Sequence, residues 1–152
     1  MRLSHDAGTV VWPRDADGDY ARRALTPVLQ CSASTFVRNA HVQVAVLSDG
    51  LAALPITYDP AWKDTFTVSP VTHLAHYAAE ELHKLVPPPL TRPGKVLLGG
   101  LGLVLRELGF ERAVYINSWL LSTNLYPHLT PDQLRSATRA LLAAFPDRPL
   151  VW

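Results

Sequence analysis

Two largely apolar runs that are rich in strand-forming residues flank Ser48-Asp49-Gly50, and Gly50 is able to take the positive φ of a tight turn. The pattern predicts a β-hairpin across these runs. Pro55 lies in the second run and has no backbone N–H. It therefore predicts that the second strand lies at an edge of the sheet.

The pattern is weaker in the first 40 residues. Thr9–Trp12 predicts a short strand, and the acidic stretch "DADGD" that begins at Asp15 predicts a turn. In the following segment, "YARRALTPVLQ", Pro27 removes a helical donor and is expected to interrupt any longer helix.

Helical patterns occupy the middle of the chain. Ser69 and Pro70 predict the start of a helix over about Val71–Leu85, because serine caps helices and proline is tolerated at the first position. The successive prolines of residues 86–94 predict an extended, Pro-rich connector. An apolar helix is expected after it, with Gly109 as its C-terminal cap and with close packing against a sheet to explain its other glycines.

The last forty residues predict a strand, a loop, a helix and a strand. "RAVYIN" is rich in strand-forming residues, and Thr130 with Gln133 forms a capping-box pattern before a helix over Pro131–Phe145. "RPLVW" predicts the final strand. This order implies a crossover between neighbouring parallel strands, so the sequence predicts a mixed α+β (α/β) fold, in which helices flank a sheet that contains an N-terminal hairpin.

Length and composition fit a single soluble domain. The chain has 152 residues, 48% hydrophobic and 18% charged, with a net charge of +1. This balance excludes a disordered chain and disfavours nucleic-acid binding, which requires clustered lysine and arginine. No apolar run reaches the ~20 residues of a membrane span. The single Cys31 excludes an intrachain disulfide and a thiolate zinc site, and a cytoplasmic location is expected.

Four polar residues, His73, His76, Glu80 and His83, follow helical spacing and would share one stripe of a helix. A metal site would need further carboxylate ligands from other helices. The pattern therefore favours a solvated face over a metal site, with contact to a substrate or partner as the remaining alternative.

Other motifs are incomplete. "DADGD" places its glycine too early for a calcium loop, and "GGLG" lies inside an apolar helical run and not after a strand, which disfavours dinucleotide binding. Ser122 has no base near it in sequence, and Cys31 has no identifiable partner, so no catalytic residue is assigned.

The stretch "NSWLLSTNLYP" interleaves amides and hydroxyls with apolar bulk directly after the strand "RAVYIN". The end of such a strand is where open α/β sheets bind ligands. The pattern therefore predicts a substrate-binding crevice, with a structural role in the turn as the alternative. Its candidate residues are Asn117, Ser118, Trp119, Ser122, Thr123, Asn124 and Tyr126.

Two segments, "FTVSPVTHLAHYAAEEL" and "VYINSWLLSTNLYP" with the capped helix and "FPDRPLVW" after it, resemble parts of GNAT-superfamily, acyl-CoA N-acyltransferase-like proteins. The resemblance covers about residues 66–152 and implies transfer of an acyl group from acyl-CoA to an amine. In GNAT enzymes a loop at a helix N-terminus holds the pyrophosphate of CoA. The sequence lacks that loop, so no residue is assigned to acyl-CoA.

The chain stops at Trp152 within an apolar strand. It is therefore expected to be the N-terminal portion of a longer protein, an incomplete GNAT-like domain. Acyl-CoA is then a co-substrate only where the remaining part is present, and the expected partner is a small-molecule or peptide amine acceptor. A non-catalytic module that binds a ligand or a partner protein is the alternative function.

Overall fold

The computed structural model describes residues 1–61, 68–120, 125 and 127–152. Within them, one mixed sheet has the strand order β1-β2-β3-β4-β5 and confirms the mixed α/β class. Neighbouring strands are antiparallel except for β4 and β5, which are parallel. The strands are β1 (Arg2–Ser4), β2 (Gln43–Ser48), β3 (Ala53–Tyr58), β4 (Val114–Ile116) and β5 (Leu150–Val151).

The helices lie in three groups along the described chain. The first group precedes the β2–β3 hairpin, the second separates β3 from β4, and the third separates β4 from β5. They are α1 (Ala16–Gln30) and α2 (Ala33–Phe36), a π-helix (Thr72–Tyr77) continued by α3 (Ala78–Leu85) and α4 (Pro88–Glu107), and finally α5 (Pro131–Ala144). None of the helices in the described residues is both long enough and apolar enough to cross a bilayer.

The two faces of the sheet carry separate apolar clusters, because side chains alternate along a strand. Leu47 and Ile56 belong to the larger cluster, which includes Ala137 and Leu141 of α5. On the opposite face Val46 packs against Leu25 of α1. All six residues of β3 are buried, so this strand is the centre of the fold.

The hairpin prediction is confirmed, with Gly50 at φ 83° in the turn between β2 and β3. The prediction that Pro55 marks an edge strand is wrong, because β3 lies between β2 and β4. The carbonyl of Pro55 accepts a hydrogen bond from Ser118 N at 3.1 Å. In a strand the N–H and the C=O of one residue point to the same side, so the N–H that Pro55 lacks would also point towards β4. Because β4 ends at Ile116, the sheet loses little hydrogen bonding there.

The N-terminal predictions need correction. No strand occurs at Thr9–Trp12; instead the first strand is β1, and the Asp6 side chain caps a 3-10 turn over Ala7–Thr9. The "DADGD" stretch is the start of α1 and not a turn, because Asp15 caps the helix. Pro27 does not interrupt α1, since it falls in the last turn, where only one helical hydrogen bond is lost.

The Pro-rich connector predicted for residues 86–94 is also wrong. Helix α4 begins at Pro88, so the link between α3 and α4 is only Val86 and Pro87. The first four N–H groups of a helix have no partner within it. Pro88 and Pro89 therefore fit the first turn without losing a hydrogen bond.

The helix predicted over Val71–Leu85 is confirmed, although its first part is a π-helix, and Ser69 Oγ accepts from Thr72 N at 3.1 Å. Gly109 follows α4 in the left-handed conformation, as predicted. The expected glycine packing against a sheet is wrong. A Cβ on Gly102 would lie 3.1 Å from Ala75 in the π-helix, and one on Gly99 or Gly100 would meet nothing within 4 Å.

Helix α5 confirms the C-terminal predictions. Thr130 Oγ1 accepts from Gln133 N, and Gln133 Oε1 accepts from Thr130 N, which completes the capping box. The helix connects β4 to the parallel strand β5. The described residues 117–120, 125 and 127–130 therefore lie between the C-terminal end of β4 and the start of α5.

Candidate functional site

A cleft of about 630 Å³ opens at the C-terminal end of β4. The N-terminal turn of α1 forms one wall, the β2–β3 turn forms the floor, and the loop after β4 forms the other wall. The lining residues are Pro13, Asp15, Asp17, Gly18, Tyr20, Ala21, Leu51, Ala52, Ala53, Trp119, Leu125, Pro127 and His128.

The first wall depends on Gly18, which fixes how closely α1 approaches the preceding chain. Its N–H donates to Asp15 Oδ1 at 2.7 Å. A Cβ at this position would lie 2.2 Å from the carbonyl oxygen of Pro13, which is closer than any side chain permits. Glycine therefore lets the start of α1 pack against Pro13, where Asp15 and Asp17 line the cleft.

The floor is held by Asp49 in the β2–β3 turn. Its carboxylate accepts from the N–H groups of Leu51 and Ala52 at 2.9 Å, and from the Gln133 amide of α5 at 3.3 Å. Partial burial alone would raise the pKa of Asp49, but these hydrogen bonds and the positive chain terminus outweigh it and lower that pKa. The turn is thereby tied to α5.

The second wall is built on Asn117, which is buried and has φ 60°. Its Nδ2 donates to the carbonyl of Leu125 at 2.7 Å, and its Oδ1 accepts from Trp119 Nε1 at 2.9 Å. One amide thus closes the loop between residues 117 and 125 and orients the indole. Asparagine suits this position, because it tolerates the left-handed region better than most residues.

Two aromatic rings from distant parts of the chain meet across the cleft. The rings of Tyr20 and Trp119 lie with their centroids 5.8 Å apart and their planes at 47°. The apolar body of Trp119 also packs against the cluster that contains Val46 and Ala53. Such rings offer electron-rich faces to a bound cation.

The charge of the described lining is acidic. Asp15 and Asp17 contribute carboxylates, and no lysine or arginine is among the described residues that line the cleft. Asp15 uses one carboxylate oxygen to cap α1, whereas Asp17 makes no hydrogen bond or ion pair with a described residue. Carboxylates beside aromatic faces favour a positively charged ligand.

Only part of the predicted site can be placed. Trp119 lines the cleft, Asn117 lies behind it, and the N–H of Ser118 donates to Pro55. The remaining candidates, Ser122, Thr123, Asn124 and Tyr126, lie outside the described residues. Their role in binding stays a prediction.

The polar cleft residues that sequence reasoning missed are Asp15, Asp17, Tyr20 and His128. The first three lie about a hundred positions before Trp119, so no local spacing connects them with it. The available signal was the helix-capping pattern of Asp15 with two more acidic residues in the first turn, which would have placed carboxylates at a helix end.

The histidine face of the π-helix and α3 is separate from the cleft. His73, His76, Glu80 and His83 are exposed, as a solvated face requires. His83 Nδ1 lies 2.8 Å from the carbonyl oxygen of Glu80, and His76 contacts Arg106 of α4. Within the described residues, no group of three or more acidic, histidine or cysteine side chains is arranged to hold a metal ion.

The phosphates of CoA do not fit the described elements at this end of the sheet. The cleft is acidic, and the N-terminus of α5 carries Asp132 while its capping box already uses the Gln133 N–H. Both features repel or exclude an anion.

Comparisons with family models, curated proteins and solved structures found no match to this chain.

Proposed function

We propose that the chain is the acceptor-binding portion of a GNAT-like N-acyltransferase, which transfers an acyl group from acyl-CoA to an amine. The cleft is the site of the amine. The observation that carries this proposal is the pairing of two carboxylates with two aromatic rings at the C-terminal end of β4. A protonated amine satisfies both kinds of group at once.

The position of the cleft supports ligand binding. In open α/β sheets, ligands bind beyond the carboxyl ends of strands, where a connection leaves the sheet. Here α5 follows β4 in the chain and leads back to the parallel strand β5, and Trp119, Leu125, Pro127 and His128 lie between β4 and α5. The cleft opens beside these residues.

The apolar parts of the lining favour an amine with a hydrocarbon portion. Leu51, Leu125 and Pro127 lie with the two rings in the same cleft. The volume of about 630 Å³ is within the range of small-ligand sites, which is roughly 300–1,000 Å³. An arylalkyl amine or an aliphatic amine, free or at the end of a peptide, fits this combination.

Acyl-CoA remains the proposed co-substrate, and no described residue is assigned to it. The acidic cleft and the capped α5 both disfavour its phosphates, so the donor site is to be sought elsewhere in the protein. We therefore assign recognition and orientation of the amine to the cleft, and we assign no proton transfer to any residue.

Amine binding is tested with phenethylamine and its neutral analogue phenethyl alcohol, by titration calorimetry. We expect measurable binding of the amine alone, and Asp17→Asn to weaken it about tenfold, which corresponds to the loss of one charge-assisted contact. Asp19→Asn is the matched control, because Asp19 lies in the same first turn but outside the cleft. Equal binding of the amine and the alcohol would sink the proposal.

The acyltransferase part is tested separately, by release of the CoA thiol from acetyl-CoA in the presence of an amine that binds. Amine-dependent release that falls with Asp17→Asn supports the transferase. Amine binding without any thiol release, by this chain and by any longer protein that contains it, favours the alternative of a non-catalytic binding module.

A further inference from the structure

Helix α4 carries an exposed apolar stripe that the proposed function does not use. Five residues follow the spacing seven, four, three and four along the helix and its C-terminal end. All five are exposed; Leu97, for example, keeps 76% of its surface accessible. The α4 stripe consists of Leu90, Leu97, Leu101, Val104 and Leu108.

The contacts of α4 within the chain lie on a different side of the helix. Gly102 faces Ala75 of the π-helix, and a Cβ on Gly94 would lie 2.6 Å from Leu82 of α3. At about 100° per residue, the α4 stripe is centred about 90° from the midpoint of these two glycines, and its Leu101 edge adjoins Gly94. The α3–α4 hairpin therefore leaves the stripe without a partner in the described residues.

The alternating steps of three and four are those of a coiled-coil seam, in which apolar residues repeat every 3.5 positions. The four leucines of the stripe are also symmetric about its midpoint, whereas Val104 has no counterpart in the stripe. When two α4 helices pair antiparallel, Leu97 of one copy lies opposite Leu101 of the other, and Leu90 opposite Leu108. An interface related by a two-fold axis needs this kind of self-complementarity.

We infer that the α4 stripe is the contact surface of a homodimer, in which two copies pair antiparallel through α4. The inference is independent of the amine site. Charge does not oppose it, since the stripe has no charged residue, and Arg92, Lys95 and Arg106 fall on the other side of the helix.

The exposed area approaches what a dimer needs. The five side chains together expose about as much surface as three free leucines, on the order of 400 Å² for each copy. Stable interfaces bury about 1,200 Å² or more in total over both partners. Two stripes together offer roughly 800 Å², so we expect a weak dimer that dissociates on dilution.

The second apolar pair of α4 favours a helical partner over a lipid surface. Val96 and Leu103 are 73% and 64% exposed and lie across the helix from the stripe. An interfacial membrane helix has a continuous polar face opposite its apolar one. These two residues interrupt that face, whereas a narrow seam between two helices tolerates them.

The test is the mass of the protein in solution, measured by sedimentation equilibrium over roughly a hundredfold range of concentration. We expect the wild-type protein to form a dimer. Leu97→Glu and Leu101→Glu should each raise its dissociation constant at least about tenfold, because each removes at least one well-packed contact. Val96→Glu and Leu103→Glu are matched controls on the same helix and are expected to leave the dimer unchanged.

The orientation is tested by disulfide formation in a Cys31→Ser background. Leu90→Cys protein mixed with Leu108→Cys protein is expected to give a cross-linked heterodimer, because the antiparallel register brings these positions together. A monomer at every concentration would overturn the inference, as would a dimer that Val96→Glu disrupts as strongly as Leu97→Glu. Cross-linking of Leu90→Cys only with itself would overturn the antiparallel arrangement.

Discussion

The sheet with α5 and the α3–α4 hairpin are both rich in apolar residues, but they bury them to very different extents. Leu47, Leu54 and Leu141 are completely buried in the cluster between the sheet and α5. In α4, only Gly102 is buried, while most of its leucines and valines are exposed. The hydrophobic pattern that indicates a core in one region therefore indicates an outer surface in the other.

The difference follows from the number of neighbours that each element has. A central strand such as β3 pairs with a strand on each side and is covered on both faces, so all of its side chains are buried. Helix α4 packs mainly against one neighbour, the π-helix and its continuation α3. One contact face covers only a part of the surface of a helix.

The largest expected effect comes from truncating a buried leucine of α5, with an exposed leucine of α4 for comparison. Leu141→Ala removes completely buried carbons and should lower the free energy of unfolding by about 2–5 kcal/mol. Leu103→Ala, on the exposed side of α4, should change it by less than about 0.5 kcal/mol. Urea denaturation of both variants measures these changes. Equal losses of unfolding free energy would contradict the contrast between the two regions.

A smaller effect is expected at Asn117, in the loop that leads from the sheet to the cleft. Asn117→Ala removes two part-buried hydrogen bonds and places alanine at φ 60°, so the free energy of unfolding should fall by about 2–3 kcal/mol. Ser118→Ala is the control, since the bond of Ser118 to Pro55 uses the backbone N–H.

Thermal and urea unfolding of the Asn117 and Ser118 variants show which of the two regions this part of the chain resembles. A stability loss at Asn117 assigns its start to the rigid part of the molecule, together with β3. An Asn117→Ala protein as stable as the wild type would instead group the loop with the weakly packed hairpin, and would leave the amide available for ligand contact.

The smallest effect concerns Tyr115 of β4, whose pKa is raised by burial to about 12. The folded state holds the Tyr115 proton more tightly than the unfolded state does. The stability linked to this proton is therefore fully present below pH 10 and is lost as the pH rises from 10 towards 12. Because the ring is only partly buried, the loss should be no more than about 1–2 kcal/mol.

Comparison with Tyr115→Phe isolates this titration from the other basic groups. The wild type should lose stability relative to Tyr115→Phe above pH 10, and the difference between the two should be constant from pH 7 to pH 9. Parallel curves up to pH 12 would mean that the hydroxyl is not shielded by the fold.

Local signals predicted much of the architecture. The turn at Gly50, the caps at Ser69 and Gly109 and the capping box at Thr130 each depend on a few adjacent residues. The candidate cleft was predicted only through Trp119. Asp15, Asp17 and Tyr20 join it because α1 packs across the sheet beside the loop after β4, and no spacing in the sequence reports that packing.

The sequence by itself determined the strands and helices with clear caps, the mixed fold class and the polar stretch after β4, because hydrogen bonding and steric limits act between near neighbours. Only the tertiary structure decided that Pro55 lies in a central strand and that α4 is exposed. Each of these depends on which element packs alongside, and that is set by contacts between residues far apart in the chain.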